Sequence, residues 1–205
     1  KTNARKKAVW FHGENLWWLF RTRDFIPEYD KIYCVSEPVR KQVIARFPEL
    51  ADRTEVLLNF IDIKQVQRRS EEPLSDPQYT GELKFLTVGR ASEEKGYDIA
   101  VQITAELKKR GLCFKWFIIG DGRDLNKLRT MAKEYQVKQE IIFLGMRENP
   151  APYVKSCDLY LQPSRHEGYP ITIVEARSLQ KVIIASDIPS MREQIRDGEN
   201  GYLCP

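Results

Sequence analysis

Residues 83–205 show a regular alternation of apolar and mixed segments. Five short apolar runs, LKFLTV, FKWFII, EIIFLG, DLYLQP and KVIIAS, are rich in β-branched or aromatic residues and stop at Gly, Pro, Ser or Asp. Such runs predict buried strands. Between them the apolar period lengthens to that of a helix. YDIAVQITAELKKRG puts Ile99, Ile103 and Leu107 on one stripe, basic residues in its last turn and Gly111 at its close. LNKLRTMAKEY repeats Leu125, Leu128, Met131 and Tyr135 at helical spacing. ENPAPYVKSC offers Asn149 as a cap and Pro150 at the first helical position. Strand alternating with helix predicts an α/β fold whose parallel sheet is covered on both faces.

The first 60 residues read differently. KAVWFHG and KIYCVS predict strands, and EPVRKQVIARF places Val39, Val43, Ile44 and Phe47 on one helix face before Pro48 stops it. Two strands do not make a domain with its own core, so residues 1–62 read as the C-terminal part of an N-terminal domain. Residues 63–82 turn polar, with Pro73, Pro77 and Gly81, and are the linker candidate. Residues 83–205 form the main domain, expected to be cut short because GYLCP ends abruptly.

The chain of 205 residues, 42% hydrophobic and 30% charged, has the composition of a globular protein with a real core. Lys and Arg number 33 against 29 Asp and Glu, a formal charge of +4. That suits binding of a small anion and argues against nucleic acid. The opening KTNARKK reads as a solvated basic end. Cys34, Cys113, Cys157 and Cys204 include no CxxC pair, and the first three lie in or beside apolar runs. They read as reduced, mostly buried residues of a cytoplasmic protein. No apolar run approaches the roughly 20 residues of a membrane span.

Open parallel sheets bind ligands outside the carboxyl ends of their strands, and the unusual residues of this chain gather there. GRASEEKG follows the first strand of the main unit with Gly89, Arg90, Lys95 and Gly96. GDG, from Gly120 through Asp121 to Gly122, follows the second, Gly145 the third and PSRHEG the fourth. Arg90 and Lys95 could clamp a diphosphate or stand as solvated loop cations. GDGRDL falls short of a dinucleotide fingerprint because Leu125 replaces the third glycine. In SRHEGYPITIVEA, Gly168 and Pro170 predict a loop followed by a helix start, with Glu167 on the loop and Glu175 on the helix. A helix N-terminus between them would suit phosphate, so one nucleotide-sugar could lie across all three. The plainer alternative makes Glu167 a surface acid and Glu175 a dipole-favoured helix acid.

Taken together, GRASEEKG, GDG, FLG, SRHEGYPITIVEA and ASDIPSMREQIRDGENG resemble the retaining glycosyltransferases of family 4, the group 1 glycosyl transferases with the GT-B fold. VWFHGE, CVSE and NFID fit the same family upstream. The resemblance implies a Rossmann-like doubly wound sheet with part of a second Rossmann-like domain. It implies a sugar moved from a nucleoside-diphosphate-sugar to an acceptor hydroxyl in glycan, polysaccharide or glycolipid biosynthesis. Arg90 and Lys95 would then hold the diphosphate, Glu175 the ribose and Glu167 the donor sugar. Backbone at Gly168 and Tyr169 would meet the phosphates and backbone around Met146 the base, with Gly89, Gly120, Asp121 and Pro170 shaping the donor site. His12 would face the sugar from the other domain, and His166 would orient Glu167.

Pro170 departs from relatives that carry a glycine there, and the family's N-terminal glycine-rich loop and terminal helices are missing. The implied object is a donor-binding domain with a remnant of the acceptor domain. No two Asp residues stand two apart, so no DxD metal motif is present and no obligatory metal or other cofactor is expected. The implied acceptor is a saccharide or a lipid-linked acceptor. NLWWLFRTR suits either a membrane-interface helix or a helix packed in the acceptor domain, which leaves cytoplasmic and peripheral inner-face locations both open. The rival readings are a sugar-nucleotide epimerase or sucrose-type synthase, a non-catalytic nucleotide-sugar module or half of a two-chain transferase, and a flavodoxin-like or response-regulator domain. The last fits poorly because no acidic pocket follows the first strand.

Overall fold

A computed structural model describes residues 5–13 and 25–205. The stretch NLWWLFRTR, with its two alternative readings, and residues 1–4 of the basic N-terminal cluster lie outside the described residues. β1 (Ala8–Phe11), β2 (Lys31–Cys34) and β3 (Thr54–Val56) form a parallel sheet in that order, with Val9 opposite Ile32 and Cys34 opposite Val56. α1 (Glu37–Arg46) is capped by the Ser36 hydroxyl, which accepts from the Val39 N–H. Val39, Val43 and Phe47 of this segment pack with Phe11, Ile32 and Leu50, whereas Ile44 is only half-buried. β3 escapes the sequence pattern because it is three residues long and exposes two of them.

The polar stretch from residue 63 to residue 82 opens with a helix, α2 (Ile63–Ser70), capped by Asp62 at 2.9 Å from the Gln65 N–H. Only Ile63 and Val66 in it are apolar, so no stripe marks it in the sequence. The second sheet is built from β4 (Lys84–Val88), β5 (Lys115–Ile119), β6 (Ile141–Gly145), β7 (Leu159–Gln162), β8 (Val182–Ser186) and β9 (Tyr202–Cys204). All pairings are parallel and the order is β6-β5-β4-β7-β8-β9. Helices α3 (Tyr97–Lys109), α4 (Leu125–Glu134), α5 (Ala151–Ser156), α6 (Ile171–Ser178) and α7 (Pro189–Arg192) connect them. Packing α2 against α5 and α6 ties the polar stretch to this unit.

The chain enters the sheet in the middle, winds out to β6 and returns to β7. The strand order therefore reverses between β4 and β7, and a crevice opens at their carboxyl ends. Alternate side chains serve the two faces. Leu86, Phe117, Tyr160 and Ile183 belong to one core, and Phe85, Trp116, Ile118 and Ile141 to the other. The α/β doubly wound fold expected from the sequence is the fold observed.

Two local expectations are corrected. The buried face of α3 is Tyr97, Ala100, Val101, Thr104 and Ala105, while Ile103 is exposed and Ile99 and Leu107 only half-buried. Small residues bring this helix close to the sheet, and the Thr104 hydroxyl donates to the Ala100 carbonyl at 2.8 Å, so a polar residue is tolerated inside. Cys113 is exposed, as is Cys204, whereas Cys34 and Cys157 are buried and burial pushes both thiols up to about 12.

Candidate functional site

Two loops meet at the crevice. The first, after β4, carries Gly89 to Gly96; the second, after β7, carries Pro163 to Pro170. Arg165 stitches them together, with bidentate bonds of 2.7 Å each to the Asp98 carboxylate at the start of α3. Its backbone N–H donates to the Glu94 carbonyl at 2.8 Å. Gly96 lets the loops touch: its φ is +65°, and a Cβ there would lie 1.9 Å from the Pro163 carbonyl oxygen. The Arg165 guanidinium in turn holds the Asp98 carboxyl below its ordinary range.

This stitching puts Lys95 against Glu167. The Lys95 ammonium lies 2.7 and 2.8 Å from the two carboxylate oxygens. Glu167 also accepts from Gln162 Nε2 at 2.9 Å and Ser164 Oγ at 2.7 Å. Side-chain exposure is 18% for Lys95 and 8% for Glu167. The orienting role that the sequence assigns to His166 thus falls on Gln162 and Ser164; His166 is exposed, and its backbone N–H turns to the Glu94 carbonyl.

Around this pair lies a cleft of about 520 Å³ whose lining includes His12, Arg90, Glu94, Lys95, Arg123 and Glu167. Arg90, Lys95 and Arg123 outnumber the carboxylates Glu94 and Glu167, so the cleft favours an anion. Burial works against the Glu94 charge. Backbone and Ser92 hydrogen bonds together with the charges of Arg90 and Arg123 nonetheless hold its carboxyl below the usual range. Arg123 is missed by motif reading; its only signal is a cation directly after the GDG glycines. His12 enters from the end of β1, its ring 4.5 Å from that of Trp10. Gly168 lies under it, where a Cβ would sit 2.1 Å from the His12 carbonyl oxygen. The close approach between the two sheets therefore needs glycine at this position.

Several expected site residues also have structural roles. Gly120, at φ +138°, has the Gly89 carbonyl 1.8 Å from where its Cβ would be, so strand crowding already requires glycine. The Asp121 carboxylate turns back to the Gly122 N–H at 2.7 Å, and neither Gly120 nor Asp121 lines the cleft. Gly89 lies over the Tyr97 hydroxyl, which would be 2.9 Å from its Cβ. Met146 is 75% exposed after β6, and its carbonyl accepts from Arg147 Nη1 at 3.1 Å. The Tyr169 carbonyl accepts from Asn59 Nδ2 at 3.3 Å, and the Pro170 carbonyl from Gln194 Nε2 at 3.3 Å. α6 starts one residue after Pro170.

Glu175 does not share the cleft of Glu167. It opens into a second cavity of about 270 Å³, with Phe60, Asp62, Arg69, Asn149 and Ile171 among its lining residues. Burial raises its carboxyl above the ordinary value, and the Arg69 charge opposes that rise. One ligand touching both glutamates would have to span two cavities rather than fill one crevice.

Comparison with known proteins adds the following. The family model for glycosyl transferases of group 1 matches residues 69–205. An uncharacterized glycosyltransferase of Methanocaldococcus jannaschii is 29% identical over 183 residues, 87% of this chain and 43% of that protein. The N-acetylgalactosamine-N,N'-diacetylbacillosaminyl-diphospho-undecaprenol 4-alpha-N-acetylgalactosaminyltransferase of Campylobacter jejuni is 26% identical over 179 residues, 86% of this chain and 47% of that protein. Among solved structures, Anabaena HepE in complex with UDP-glucose superposes with a TM-score of 0.82 at 19% identity, covering 98% of this chain and 58% of that one. This likeness shows the shared GT-B fold. The chain spans about half the length of the curated relatives it matches.

Proposed function

Because the chain belongs to the glycosyl transferases of group 1, we propose that its crevice binds the diphosphate of a nucleoside-diphosphate-sugar. The whole protein then transfers the sugar to an acceptor hydroxyl with retention of configuration. The observation that carries this reading is the convergence of Arg90, Lys95 and Arg123 on one cleft at the topological switch point of a parallel sheet. In the reaction the bond from the anomeric carbon to the diphosphate oxygen breaks. A bond to the acceptor oxygen forms on the same face, and the departing phosphate takes the acceptor proton. The three cations offset the charge growing on the leaving group, and this proposal calls for no metal ion.

Glu175 is proposed to take ribose hydroxyls from its own cavity and Glu167 a hydroxyl of the donor sugar. His12 and the backbone of Gly168 and Tyr169 complete the donor site, with Met146 near the base. The name of the Campylobacter relative fits a lipid-linked saccharide as acceptor. No described helix is long and apolar enough to cross a membrane. We place the protein in the cytoplasm, reaching a lipid-linked acceptor from the inner face.

The test is a thermal-shift panel of UDP, GDP, ADP and their sugars on the chain, repeated with Glu175→Ala. One base is expected to stabilise the wild type by roughly 2.7 kcal/mol at about 100 times its Kd. Glu175→Ala should abolish that shift at the same concentration. Absence of a shift with every nucleotide would overturn the donor-site reading.

A further inference from the structure

Lys95 does not stand free in the cleft, because Glu167 holds it. The glutamate itself is fixed from the other side. Its Oε1 accepts from Gln162 and Ser164 as well as Lys95, whereas among the described residues Oε2 accepts from Lys95 alone. The Tyr160 hydroxyl donates to Gln162 Oε1 at 3.3 Å, leaving the Gln162 amide nitrogen to face the carboxylate. Tyr160, Gln162 and Ser164 are all buried. Among the described residues, Lys95 is thus the one partner of Glu167 with a long flexible stem and an opening to the cleft.

We infer that Glu167 parks Lys95 in the ligand-free protein and that an entering diphosphate takes the lysine over, freeing Glu167 Oε2 for a sugar hydroxyl. This rests on the donor-site reading and adds a coupling to it: phosphate capture exposes the sugar-binding oxygen. Gln162 and Ser164 are positioning residues. They keep two hydrogen bonds on Oε1 when the lysine leaves, so the buried carboxylate is never without partners. The Tyr97 hydroxyl is a further donor in waiting. Tyr97 is 1% exposed, its hydroxyl has no hydrogen-bond partner among the described residues, and both that hydroxyl and the Lys95 stem lie close to Gly89. The charge of Glu167 reaches the hydroxyl.

Parking has a consequence opposite in sign to simple loss of a binding residue. A diphosphate without sugar must pull Lys95 off Glu167 and gains nothing from the freed oxygen. Calorimetric titration of the chain with inorganic pyrophosphate, and with UDP, GDP and ADP, tests this. Glu167→Gln should bind pyrophosphate about tenfold more tightly than wild type, the scale of one charged hydrogen bond released. Glu167→Ala should shift the same way, with melting curves confirming that each variant folds. Lys95→Ala should weaken binding, and Lys95→Ala/Glu167→Gln should bind no better than Lys95→Ala. A gain that persists without Lys95 would mark a general charge effect and overturn parking. So would unchanged or weaker binding in the Glu167 variants. If folded wild type and variants bind neither pyrophosphate nor any nucleotide, the donor-site reading falls and the coupling with it.

Discussion

Glu175 sits half-buried on the second turn of α6 and has no hydrogen bond from another side chain among the described residues. Burial penalises its charged form, so the folded protein holds that proton to a higher pH than the unfolded chain does. A raised folded value means stability that is present below the ordinary carboxyl range and lost as pH rises through the folded value. Glu175→Gln removes the charged form altogether. The variant should melt above wild type near pH 7.5, and the two should converge near pH 4, where the glutamate is protonated. Differential scanning calorimetry at those two pH values checks this. A variant less stable than wild type at neutral pH would show that attraction to Arg69 outweighs burial. A carboxylate kept at this cost beside a cavity, with no side-chain hydrogen-bond donor among the described residues, is consistent with the ribose-binding role proposed for it.

At the scale of elements, α3 shows what its glycines do and what the sequence conceals. Both glycines at its ends have positive φ, +65° at Gly96 and +79° at Gly111, but only Gly96 meets a carbonyl; at Gly111 nothing lies within 4 Å. Gly111→Ala should therefore lose about 1 kcal/mol, the backbone cost alone. Gly96→Ala should lose roughly 2–3 kcal/mol or more, because the loop after β7 must also move. Urea midpoints with unchanged slopes would measure both, and equal losses would refute the close approach. The strands β4 to β8 and the helices α3 and α4 were legible because their apolar runs and helical periods are bounded by Gly, Pro, Ser or Asp. The helical face of α3 was not, since Ala and Thr bury without looking apolar. β3 and β9 are too short to show a period. Lys95 and Glu167 were each singled out by type, yet their contact spans 72 positions and exists only because β4 and β7 are neighbours in the sheet. Separate cavities for the two glutamates were equally beyond the motif, which fixes spacing along the chain and not which side of α6 faces the crevice.

For the whole molecule, the loop after β7 also joins the two sheets. Tyr169 packs against the small core of the first sheet, Gly168 lies under the His12 carbonyl, and the Glu37 N–H at the start of α1 donates to the Glu193 carboxylate at 2.9 Å. Tyr169 belongs by sequence to the second unit but packs half-buried against the first, so the proposed phosphate loop doubles as the joint. Tyr169→Ala removes this apolar anchor and leaves both sheets' own cores intact. A half-buried aromatic should cost roughly half of the 3–5 kcal/mol of a fully buried one. That loss should fall unevenly, because the first sheet has the smaller core among the described residues. Hydrogen exchange should show lost protection in β1 to β3 with β4 to β8 unchanged. Equal losses in β5 and β7 would mean that Tyr169 stabilises the second sheet instead. If the first sheet alone loosens, His12 should leave the mouth of the cleft with it, and the same variant should weaken nucleotide-sugar binding more than nucleotide binding, a comparison the thermal-shift panel can make directly.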